Sequence, residues 1–235
     1  MNYFNNNQGH DAVMAQGFMS KVYGWMAGGL GLTAMTSFLI SPYNNPKLFM
    51  MLFGSGFGPV ILLAFIQIGI VFYFWHSWQK LSYSTMSALY IAYSVLTGVI
   101  LTPVVFSYTA ASVFSTFAIT AGMFAAMALY GSITKSDLSK MSNVLFMGLI
   151  GLVIANVCNM FFQSAGFNLM IACVGVGIFS LLIAYDMQKL KKLSRELVAS
   201  PEDIAKISLL GAMMLYLDVV NLFLYLLRIF GQRRK

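Results

Sequence analysis

From residue 22 to residue 230 the chain is a succession of apolar runs, each about as long as a bilayer is thick, separated by short polar stretches. A hydrocarbon core of ~30 Å takes about 20 apolar residues of helix. Seven runs meet that length, over 22–40, 48–75, 84–102, 111–131, 142–162, 167–188 and a last one ending at Arg228. Only 9% of the residues are charged, against roughly 25% in a soluble domain. So few charges cannot cover a water-facing surface, so most of this surface faces lipid. The expected fold is an all-α integral membrane protein of seven transmembrane helices. A polar, disordered tail is expected over 1–20, the transmembrane domain over 21–231 and a basic tail over 232–235.

Local chemistry marks the boundaries. Pro42 and Pro46 bracket the turn after the first run. Gly54, Gly56 and Gly58 precede Pro59 in the second, which predicts a kink there. Trp75 and Trp78, followed by Lys80, read as an interface belt. Pro103 is expected to close the third helix. Ser200 and Pro201 before Glu202 and Asp203 read as a helix start, with serine at the N-cap and acids in the first turn. The sixth helix is expected to run past Lys192 into that hairpin. Gly24 with Gly28, Ala27 with Gly31, and Gly54 with Gly58 stand four apart, a spacing expected to form packing seams. The Asn-rich head lacks a basic start and cleavage pattern, so 22–40 is expected to be a retained helix and not a signal peptide.

The formal net charge is +7, and its distribution orients the chain. With the N-terminus in the cytoplasm, Lys21, Lys80, Lys135, Lys140, Lys189, Lys191, Lys192, Arg195 and Lys206 lie inside, against Lys47 outside. The C-terminal Arg228, Arg233, Arg234 and Lys235 oppose that bias if the last run is a full span. Basic residues placed in short loops meet lipid headgroups and not nucleic acid. His10 and His76 cannot supply a catalytic zinc site. Cys158 and Cys173 lie in apolar runs and read as reduced packing residues. No catalytic set or cofactor motif is present in the sequence, so no enzymatic activity and no cofactor is expected.

Two acidic residues sit where charge is costly. Asp186 and Asp218 lie inside the last two apolar runs, and an aspartate at a helix centre costs ~2.5–3.5 kcal/mol on insertion scales. Such residues face a bundle interior or a water-filled cavity and mark ion or proton pathways. Counted from a turn near residue 199, the two differ by about 9 Å in depth, which tilt or an offset hairpin can absorb. Held close, two carboxyls cannot both ionise cheaply. They share a proton and titrate in coupled steps. Deprotonated, they attract calcium, a hard cation that prefers oxygen ligands. The competing reading is that each aspartate hydrogen-bonds to a neighbour such as Asn221, Tyr185 or Tyr216. Gln67, Asn156 and Asn159 read as interhelical glue before pore lining. Arg228 is expected to snorkel.

The stretch from Ser180 through Tyr185, Asp186 and Gln188 to Lys189 resembles the Bax inhibitor-1 family. So does that from Leu215 through Tyr216, Asp218, Asn221, Phe223 and Arg228 to Gly231. The resemblance implies seven helices with the last at the centre, wrapped by the other six. It implies a pH-sensitive calcium leak in which an aspartate pair on the last two helices, here Asp186 and Asp218, senses protons. Some bacterial members place an arginine near the end of the second helix as a latch. Here that stretch holds Lys80 and no arginine. Relatives are also linked to membrane protease control and to suppression of cell death, so a non-conducting partner of such a membrane protein is the alternative, and a proton-coupled transporter the second. The compact chain is expected in a bacterial inner membrane, with the lipid bilayer and calcium ions as its partners.

Overall fold

The computed structural model describes residues 3–54, 56, 58–196 and 200–234, and side chains from residue 17 on, those of 195 and 196 apart. The described residues are helical nearly throughout. The helices are α1 (Tyr3–Ile40), α2 (Pro46–Phe53), α3 (Gly58–Ser77), α4 (Tyr83–Phe106), α5 (Ala110–Ile133), α6 (Ser142–Phe162), α7 (Ala165–Glu196) and α8 (Pro201–Phe230). A 3-10 turn over Leu138–Met141 leads into α6. Among the described residues, six helices are long and apolar enough to cross a membrane, namely α3, α4, α5, α6 with its leading turn, α7 and α8. α1, with its glycines and hydroxyls, is not among them.

Caps explain where these helices begin. Asn45 accepts from the Leu48 N–H beside Pro46 at the start of α2. Ser82 and Thr109 do the same for Thr85 and Ser112 at the starts of α4 and α5. Ser200 accepts from the Asp203 N–H and donates to its carboxylate, so the helix start read at Pro201 is the observed one. α6 ends where Gln163 turns left-handed, at φ 48°.

Three boundaries and one packing expectation differ from the structure. α1 begins at Tyr3, so the head expected as a disordered tail is helical from there; it lacks proline, and extending an existing helix avoids the cost of nucleation. The second run is a break between α2 and α3 and not a kinked helix. Pro59 has no N–H to give and clashes with the carbonyl four back, and Gly56 takes φ 92° in the gap. α4 passes through Pro103, which removes one ladder bond, that to the Val99 carbonyl, a loss membrane helices tolerate. The expected glycine seams are not seams, since a Cβ on Gly24, Gly28, Gly31 or Gly58 would meet nothing within 4 Å. Spacing shows which residues share a face and not whether a neighbour covers it; α1 buries Val22, Met26, Thr33 and Ser37 instead.

The described residues fall into two compact units. One holds Gln16–Tyr108 and the first half of α8, up to Tyr216. Its centre is aromatic and hydroxylic. The Tyr216 ring meets Tyr90 and Tyr93 edge-on, and Tyr90 donates to the Trp25 carbonyl at 2.9 Å. Gly98 lets α4 close on α1, for a Cβ there would lie 2.6 Å from the Thr33 carbonyl oxygen. The other unit holds the head up to Ala15, Thr109–Glu196 and the second half of α8 from Leu217. In it α5 and α7 touch at Gly131, where a Cβ would collide with the Ala184 carbonyl. Each unit leaves large apolar side chains uncovered, among them Phe65 and Phe72 on α3 and Phe146 and Met160 on α6. Water does not tolerate such a surface, and lipid requires it.

Candidate functional site

Asp186 on α7 and Asp218 on α8 are buried in the same unit, with 7% and 6% of their surfaces exposed. Their carboxyl groups lie within hydrogen-bonding reach of each other. The depth offset expected from counting along the hairpin is therefore absorbed. Neither the α7 nor the α8 backbone can help either group, since its N–H donors are used within the helix. A hydrogen bond between two carboxyls forms only when one of them is an acid. Asp218 Oδ2 has no hydrogen-bond partner among the described residues. Lys189, exposed three residues beyond Asp186, adds a positive charge at the end of the pair.

The neighbours on α7 fix where Asp186 stands. Gln188 accepts from the Leu138 N–H and donates to the Ser136 carbonyl, both at 2.8 Å. Lys191 donates to the Ser132 carbonyl at 2.6 Å. The α5–α6 connection is thus clipped to α7 within two turns of the aspartate. Toward the other end of the α7–α8 seam, Phe179 and Tyr225 stack, with ring centroids 5.7 Å apart. A Cβ on Gly175 would lie 2.7 Å from the Tyr225 ring, so only glycine seats it.

The remaining residues singled out from sequence lie elsewhere. Asn221 donates to the Leu217 carbonyl of its own helix at 2.8 Å. Tyr185 is half-buried. Tyr216 shares its hydroxyl with Thr33 Oγ1 at 2.6 Å in the other unit. Lys80 is exposed in the turn after α3, and no ion pair of it is found among the described residues. Gln67 donates to Thr97 Oγ1 at 2.7 Å, as glue would. Asn156 donates to Tyr225 Oη at 3.1 Å and accepts from Arg228 at 2.8 Å. Arg228, expected to reach alone for the interface, also lies over the Tyr225 ring, 5.2 Å from its centroid.

Thr33, Ser94 and Thr97 went unnoticed in the sequence because membrane helices hide hydroxyls. Ser94 and Thr97 donate to carbonyls four residues back. Thr33 donates across to the Ser94 carbonyl at 2.9 Å.

Among the described residues, no group of three or more His, Cys, Asp or Glu side chains could hold a metal. Two carboxylates offer at most four oxygens, and calcium takes six to eight. Water would have to complete the shell.

Comparison with known proteins agrees with the resemblance in the last two helices. The profile of the family described as Inhibitor of apoptosis-promoting Bax1 matches residues 15–235. The inner membrane protein YbhL of Escherichia coli is 44% identical over 222 residues, covering 93% of each chain. An uncharacterised protein of Borreliella burgdorferi is 42% identical over 217 residues, 92% of each. An uncharacterised membrane protein of Streptococcus pyogenes is 34% identical over 219 residues.

Proposed function

The chain belongs to the Bax inhibitor-1 family of membrane proteins, and from that premise we propose that it is a pH-sensitive calcium leak channel whose sensor and ion site is the Asp186–Asp218 pair. The observation that carries this reading is two buried carboxyls facing each other, one with an unpartnered oxygen. A purely structural pair would satisfy both groups, because an orphaned polar atom in hydrocarbon costs several kcal/mol. With one proton shared, the pair carries a single negative charge and is bonded to itself. Deprotonated, it is doubly negative, repels itself apart and attracts a divalent cation. One proton thus exchanges a closed contact for a cation site.

The proposal extends to architecture and orientation. Seven helices cross a bacterial inner membrane, α1 among them, with the N-terminus in the cytoplasm and α8 central. α8 has 56% of its most apolar stretch buried, against 6% for α3 and 11% for α6, which supports that placement. The lysine bias supports the orientation. Lys189 stands nearer to Asp186 in sequence than any other cation.

Calcium flux into protein-only liposomes at fixed pH tests the reading. Asp186→Asn and Asp218→Asn should each alter it strongly, and Asp137→Asn, exposed in the α5–α6 connection, should not. Equal small effects at all three positions would remove the special role of the pair. No flux at all would favour a non-conducting partner of another membrane protein, and uphill movement driven by a pH gradient would favour a transporter.

A further inference from the structure

The ring pair and the aspartate pair share one seam with one period. Phe179 stands seven residues before Asp186 on α7, and Tyr225 seven after Asp218 on α8. Seven residues are two turns, so each ring projects from the same helix face as its aspartate, about 10 Å along the axis. Because α7 and α8 run oppositely here, both steps lead the same way, toward the C-terminal end of α8. The rings are stacked at an interplanar angle of 29° and are 7% and 8% exposed. Between the layers, Ile183 and Leu222 are fully buried. A cation leaving the carboxyls along this seam therefore meets apolar side chains and ring faces. Apolar constrictions stop ions by excluding water.

The rings are also held. The Tyr225 hydroxyl does not point at the carboxyl pair; it accepts from Asn156 on α6 at 3.1 Å. Asn156 in turn accepts from Arg228, whose guanidinium covers the Tyr225 ring. The ring is thus held at its hydroxyl edge by Asn156, overlain by Arg228 and stacked on Phe179.

We propose that the Phe179–Tyr225 pair is the barrier between the aspartate site and the C-terminal end of α8, kept shut by Asn156 and Arg228. The assignment rests on the channel reading above. Opening requires the Tyr225 ring to swing off Phe179, which breaks the Asn156 bond. The Arg228 charge, drawn over the ring in the closed state, adds repulsion to any cation near it. Asn156 and Arg228 are positioning residues here, and the rings are the obstacle.

Calcium flux in liposomes at one pH tests this with Phe179→Ala, Tyr225→Phe, Arg228→Gln and Asp218→Asn beside the wild type. Phe179→Ala should raise flux several-fold. Tyr225→Phe and Arg228→Gln should raise it by less, each loosening the ring without removing it. Tyr225→Phe keeps the volume of the core, so it decides the matter even if Phe179→Ala fails to fold. A merely structural role predicts no gain of flux in folded Tyr225→Phe. If Asp218→Asn alters flux and neither Tyr225→Phe nor Phe179→Ala raises it, the barrier is overturned and the aspartate site stands. If no variant changes flux, both fall together.

Discussion

Replacing Gly131 by alanine tests the contact that carries α7, and Asp186 with it, in the unit of α5. A Cβ at Gly131 would collide with the Ala184 carbonyl oxygen and lie 2.8 Å from both its carbonyl carbon and its Cα. These are backbone atoms, which cannot rotate away, so the two helices must part by roughly an ångström, losing packing along the seam. Overpacking of this kind costs about 1–3 kcal/mol, and a backbone clash lies at the upper end. Alanine regains about 1 kcal/mol of helix propensity over glycine. The net loss is about 1–2 kcal/mol. At roughly 2–4 °C per kcal/mol for a chain of this length, the melting midpoint falls by about 2–8 °C. Gly122 lies in the same helix with nothing within 4 Å of its Cβ position. There the propensity gain acts alone, so Gly122→Ala should raise the midpoint by about 2–4 °C. Thermal unfolding of both variants in one detergent gives the comparison. Equal shifts of the same sign would refute the close contact at Gly131 and with it the placement of Asp186.

Three further outcomes follow from the geometry. Gln188→Ala removes two 2.8 Å bonds to the α5–α6 connection, each contributing about 1 kcal/mol, so amide exchange at Leu138 should accelerate while exchange in mid-α6 stays unchanged. Asp137 caps the 3-10 turn, and its bonds from the Ser139 hydroxyl and N–H hold it below the usual carboxylate range. That contribution is present above the ordinary aspartate value and is lost as pH falls through the lowered one, so exchange at Ser139 should quicken only below about pH 4. Single cysteines at Lys135 and Tyr108 should label from the cytoplasmic and the outer face respectively, and outside labelling at 135 would reverse the orientation.

Much of the helix order was legible because the hydrocarbon core imposes one length on every run. α6 spans the residues counted for it, 142–162, and Ser200 announces α8. What was not legible depends on partners. The glycines at 24, 28 and 31 share a face that no described residue covers, whereas Gly98, Gly131, Gly148 and Gly175, which spacing did not single out, carry close approaches. Pro103 reads as a stop, yet the helix runs one more turn past it, since one lost ladder bond is tolerated in a membrane helix. The aspartate pair was legible because a buried charge is costly wherever it stands. The ring pair carries no charge and no motif, and its one signal was the seven-residue step from each aspartate, which gains meaning only once the helices are known to be neighbours. Asn156 and Arg228 read separately as glue and as a snorkelling cation, and their bond to each other needed coordinates.

Whether protons act through the aspartates is decided by calcium flux into protein-only liposomes from about pH 5 to pH 8, a range where isolated aspartates stay ionised. Wild type, Asp186→Asn and Asp218→Asn are compared in the same lipid. A proton shared between two carboxyls belongs to the pair, so removing either member must move the midpoint of the flux curve or abolish its pH dependence. Shifted or missing midpoints in both variants are the expected result. Flux retained in both, with the wild-type midpoint unchanged, would contradict a pair that senses pH.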